Sequence, residues 1–149
     1  MSIKKFSAMA IAGLMTLGVV AAVAQDAFVP PATAEEALAA RKALMREDGA
    51  LLRSAGNLSG AEAVAAMQTL LDNYTHIPDL FPEGSIVGDS EALPAIWENW
   101  EDFVAIVETG KQAATDGLAA AEAGDATAYA AAVQALGATC GACHQQFRG

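Results

Sequence analysis

Residues 125–148 read DATAYAAAVQALGATCGACHQQFR, and their apolar spacing decides the fold class. Tyr129, Val133, Leu136, Cys140, Cys143 and Phe147 follow one another at steps of four and three, which keeps side chains on one face of an α-helix. Asp125, directly after Gly124, is suited to cap that helix by accepting from its first free N–H groups. Both cysteines therefore fall on the stripe that faces the core.

Working outward, three more helical stretches precede this one. Thr33 and Glu36 bracket a capping box, predicting a helix from Ala34 to about Ala55 with Leu38, Leu44, Met45, Leu51 and Leu52 on its apolar face. Ser59 and Glu62 repeat the pattern before Val64, Met67, Leu70 and Leu71, and Pro78 forbids continuation beyond about Tyr74. Residues 76–93 read as a long irregular connection packing Leu80, Phe81 and Ile86 against the helices. Pro94 suits the first position of a third helix, which carries Ile96, Trp97, Trp100, Phe103, Val104 and Val107 and runs on to Gly124. No stretch alternates with period two, so no sheet is expected. Four helices with one apolar face each pack most economically as an all-α, antiparallel up-and-down four-helix bundle.

At the other end of the chain, Lys4 and Lys5 precede an apolar run from Ala8 to Val23 that closes on Ala22, Val23 and Ala24. This is the pattern of a secretory leader cleaved after Ala24, and it predicts export to the periplasm without stable membrane insertion afterwards. Residues 25–149 then form one domain. Of the eight basic and eighteen acidic residues, the leader takes two and none, leaving six against eighteen, a net charge of −12. Such acidity disfavours nucleic acid and anionic membranes as partners, and either serves solubility or steers redox proteins with basic docking patches.

The chemistry is concentrated in Cys140-Gly141-Ala142-Cys143-His144. C-x-x-C-H is the attachment signature for c-type haem. At about 100° per residue, Cys140, Cys143 and His144 share one helix face. Two sulfurs can thus bond one porphyrin edge while the imidazole reaches the iron. Gly141 and Ala142 are small enough to let the macrocycle lie against the backbone. The rival readings lack their context: a thiol–disulfide oxidoreductase motif belongs at a strand-to-helix junction, and a structural zinc site needs ligands beyond the only other histidine, His76.

With these residues the chain resembles the class II c-type cytochromes, the family of cytochrome c′ and its low-spin relatives. The match is carried by three segments. They are Arg41-Lys42-Ala43-Leu44-Met45, the run from Leu80-Phe81-Pro82 through Ala95-Ile96-Trp97 to Phe103, and 140–148. The resemblance implies one covalent haem c with its iron and His144 as axial ligand. It further implies Arg148 near the proximal face, Arg41 beside a haem propionate, and Trp97 and Phe103 packing near the haem. By analogy with the family, a homodimer built on the first two helices is expected. No substrate transformation is expected.

Met45 matches the position opposite the histidine. If its thioether coordinates, the iron is six-coordinate and suited to single-electron transfer without ligand exchange. If it only packs nearby, the iron is five-coordinate and open to nitric oxide or carbon monoxide. The neighbouring Arg46-Glu47-Asp48-Gly49 is more similar to the low-spin members, which favours coordination. Met67 and His76 are the fallback ligands.

Overall fold

The computed structural model describes residues 28–149; the predicted leader lies outside the described residues. Among the described residues five helices occur in order: α1 (Ala34–Ala55), α2 (Gly60–His76), a short α3 (Ala95–Glu98), α4 (Trp100–Ala123) and α5 (Ala126–Phe147). The four long ones form the all-α bundle. No strand occurs among the described residues; the one ladder contact is an isolated antiparallel bridge between Ala92 and Arg148.

Local chemistry explains most of the boundaries. Thr33 Oγ1 accepts from the Glu36 N–H at 3.1 Å, and the Glu36 carboxylate accepts in return from the Ala32 N–H at 2.8 Å, one residue earlier than a standard box. Asp125 Oδ1 accepts from Thr127 and Ala128 at 3.0 and 2.9 Å. Gly124, at φ +69, ends α4 in the left-handed region that glycine enters without a Cβ penalty.

Three expectations are corrected. Ser59 stands at the N-cap but makes no side-chain cap bond; the residue after it, Gly60, lies in the left-handed region at φ +54, which is not the backbone of a standard first turn. The predicted third helix is two. Pro94 stands just before α3, and Asn99, at φ −130 and ψ 50, separates α3 from α4. There the Asn99 N–H still makes the helical bond to the Ala95 carbonyl at 2.9 Å, while its side-chain amide donates to the same oxygen at 3.1 Å, a local side-chain bond of the kind that competes with helix continuation. Ile86 is exposed rather than packed; its neighbour Ser85 is the buried residue.

The core runs between α2, α4 and α5 through Met67, Leu70, Tyr74, Phe103, Val107 and Leu136. Two glycines on one face of α4 allow the close approach. A Cβ on Gly110 would lie 2.6 Å from Tyr74 Cδ1, and one on Gly117 would lie 2.7 Å from Met67 Sδ. The connection between α2 and α3 opens with a single 3-10 turn, Pro78–Leu80. It ends by pairing with the chain terminus: the Leu93 N–H donates to the Phe147 carbonyl at 3.0 Å and the Gly149 N–H to the Glu91 carbonyl at 2.9 Å. It therefore closes over the end of α5 that carries the two cysteines.

Candidate functional site

One cavity of about 540 Å³ opens between α1, the end of α2, residues 90–92 and the last turns of α5. Its volume lies in the range of small-molecule and cofactor sites, roughly 300–1,000 Å³. Six of the eight residues predicted from sequence line it: Arg41, Met45, Cys140, Cys143, His144 and Arg148. The other two do not. Trp97 donates from Nε1 to the Phe81 carbonyl at 3.0 Å. Phe103 is buried behind the wall, with ring centroids 5.0 Å from Phe81 and 5.5 Å from Phe147, which do line it. Both aromatics thus act one layer back, supporting the wall rather than forming it.

Cys140 and Cys143 are unbridged thiols, partly buried and facing the same space. Burial, with Cys140 adding to it, pushes the Cys143 thiol up to about 11. A redox or nucleophilic cysteine needs the opposite, a thiol depressed by cations or a helix N-terminus. This motif lies in the last turns of a helix, so the oxidoreductase reading lacks its chemistry. His144 is exposed at the mouth, its pKa lowered first by desolvation and then by Arg148, so the neutral imidazole that a metal requires is favoured. Arg148 itself is held at the rim by Glu91, Nε to Oε2 at 2.8 Å.

Arg41 is 4% exposed. Its guanidinium donates to the Leu80 carbonyl at 3.3 Å, the Ser85 hydroxyl at 2.9 Å, the Ser85 carbonyl at 2.7 Å and the Ser90 hydroxyl at 2.8 Å, and it stands 4.9 Å over the Phe81 ring. Every acceptor is neutral. A buried cation without a carboxylate is costly, and desolvation accordingly lowers its pKa. Lys42 and Arg46 also border the cavity, so four of the six basic residues in 25–149 gather here on an otherwise acidic chain. An apolar cavity with paired thiols on one wall and, on another, the buried Arg41 cation without a carboxylate partner fits a porphyrin bearing carboxylates.

Sequence reasoning missed the polar inner wall. Asp48, 4% exposed, accepts from Asn73 Nδ2 at 2.7 Å. The Tyr74 hydroxyl is 2.9 Å from Thr139 Oγ1 and 3.6 Å from Cys140 Sγ. The signal available was spacing: Arg41, Met45 and Asp48 stand at i, i+4 and i+7, one face of a helix. The fallback ligands are elsewhere. Met67 is fully buried against Gly117, and His76 stacks on Phe28 with ring centroids 3.8 Å apart.

The sequence profile of the cytochrome c′ family matches residues 32–148. The chain belongs to the cytochrome c′ family. Cytochrome c-556 of Agrobacterium tumefaciens (strain II Chrys) is 40% identical over 116 residues, covering 72% of this chain and 93% of that one. A solved cytochrome c′ with ligand-controlled dimer dissociation superposes with a TM-score of 0.72 at 26% identity, over 80% of this chain and 98% of that one. A nitrosyl complex of a cytochrome c′ variant from Alcaligenes xylosoxidans gives 0.71 at 25% identity, over 79% and 98%. As a cytochrome c′ family member the chain carries covalently bound haem c with its iron. Haem supplies a one-electron iron couple whose potential is tuned by axial ligand, hydrogen bonding and burial.

Proposed function

We propose that this cytochrome is a periplasmic single-electron carrier, with haem attached through Cys140 and Cys143, His144 as one axial ligand and Met45 as the other. The observation that supports the reading is convergence: these four residues, from α1 and α5, line one cavity. A thioether opposite an imidazole leaves no exchangeable position and raises the potential, which suits outer-sphere transfer. In this reading Arg41 neutralises a propionate, Arg148 flanks the proximal face, and no substrate is transformed. Export through the leader over 1–24 brings the chain to the compartment where it meets redox proteins with basic docking patches. No helix among the described residues is long and apolar enough to cross a membrane.

A second reading, five-coordinate iron binding nitric oxide or carbon monoxide, is favoured by likeness to a protein solved as a nitrosyl complex. Likeness to a protein with ligand-controlled dimer dissociation supports a homodimer. The visible spectrum of the exported protein separates the readings. A c-type pyridine haemochrome with a six-coordinate low-spin ferric spectrum is expected. A high-spin spectrum selects the second reading, and absence of the haemochrome removes both.

A further inference from the structure

Asp48 is a carboxyl group in the cavity to which the proposed function gives no task. It stands one turn beyond Met45 on the cavity face of α1, about 4.5 Å further along the helix axis. Its carboxylate accepts from a neutral donor, the Asn73 amide, which also donates to Glu47 at 3.0 Å. No ion pair reaches it among the described residues.

Charged and titratable groups reach its cavity from three helices, and Glu91 of the connection pairs with Arg148 of α5 at the rim. On α1, Glu47 places a like charge beside it, while Arg41, Lys42 and Arg46 border the same cavity. From α2, Tyr74 brings a phenol that burial keeps protonated. From α5 come His144 and Cys140; the Cys140 thiol becomes an uncharged thioether once haem is attached. Desolvation pushes the Asp48 carboxyl up to about 6, with the Asn73 hydrogen bond opposing the rise and Glu47 adding to it. Negative charge arriving in a low-dielectric cavity weakens the field that holds a nearby carboxylate ionised.

We infer that Asp48 is a proton-uptake site coupled to electron acceptance, so that this carrier moves a proton with its electron. The inference rests on the haem reading above. One electron enters from the redox partner and one proton from water. An O–H bond forms on the Asp48 carboxylate, and both leave on reoxidation.

The test is the midpoint potential of the haem-loaded protein, followed by mediated spectroelectrochemistry from about pH 4.5 to about pH 8, with infrared difference spectra in parallel. The potential is expected to fall with rising pH across a window around pH 6, with a slope of up to about 59 mV per tenfold change in proton activity. A protonated carboxyl C=O band should appear on reduction. Asp48→Asn should flatten that window and remove the band, Asp48→Glu should retain both, and Asn73→Ala should move the window to higher pH. An unaltered slope in Asp48→Asn overturns the inference, as does a pH-independent potential in the c-haem protein. Absence of a pyridine haemochrome overturns the haem reading instead.

Discussion

Arg41 grips Ser85 twice: Nη1 donates to the hydroxyl at 2.9 Å and Nη2 to the carbonyl at 2.7 Å. A single α1 cation thereby holds a connection 44 residues away in sequence, and both groups are buried. Removing the hydroxyl in Ser85→Ala should cost about 1.5–3 kcal/mol, the range for a hydrogen bond to a charged group. Urea unfolding of the haem-loaded protein measures it. The exposed Arg148–Glu91 pair is the control: Glu91→Gln should cost less than about 1 kcal/mol and lose even that in high salt.

Met45→Ala should abolish the far-red charge-transfer band of thioether-ligated ferric haem and open the reduced iron to carbon monoxide. The Cys140 and Cys143 attachment should persist, so the pyridine haemochrome stays unchanged. An unaltered ferric spectrum in the variant would remove Met45 from the iron.

Gly110→Ala should destabilise the bundle although alanine is the better helix former by about 1 kcal/mol. The added Cβ meets the Tyr74 ring at Cδ1, Cε1 and Cζ, and overpacking of this kind costs about 1–3 kcal/mol or more. Because the collision is with ring carbons, Tyr74→Phe should not relieve it, whereas Tyr74→Ala should. A double-mutant cycle of unfolding free energies would show the coupling.

Two of the three predicted caps, Asp125 and Ser59, should separate cleanly. Asp125→Ala removes two hydrogen bonds to the start of α5 and should cost about 1 kcal/mol. Ser59→Ala removes none and should be close to neutral. Equal losses in thermal unfolding would contradict the cap assignments.

The carboxyl at Asp48 also sets a pH dependence of stability. Its folded pKa, about 6, lies above the ordinary 3.8, so the folded state holds the proton more tightly than the unfolded chain. The associated stability is fully present below about 3.8 and is lost as pH rises through about 6. The stability of the native protein relative to Asp48→Asn should therefore fall between about pH 4 and about pH 7. Paired urea midpoints across that range check the sign.

What was legible in the sequence was local. The α5 stripe, the caps at Thr33 and Asp125 and the C-x-x-C-H motif depend on near neighbours and helical period, and each reappears in the structure. The misreadings arose where a local rule met a second local competitor. Ser59 is followed by the left-handed backbone of Gly60, and the apolar run from Ile96 to Val107 concealed a break at Asn99. For Trp97 and Phe103 the resemblance implies packing near the haem, while their depth behind the cavity wall is set by what packs in front of them. Here that is Phe81 and Phe147.

By itself the sequence determined the helix class and the C-terminal position of the haem-attachment motif, with Cys140, Cys143 and His144 on one face, because helical period alone places them there. Only the tertiary structure decided what faces them. Arg41, Met45 and Asp48 reach the cavity because α1 packs across it. Ser85 and Ser90 reach Arg41 because the long connection folds back. A buried charge or carboxyl acquires its behaviour from surroundings that distant parts of the chain supply.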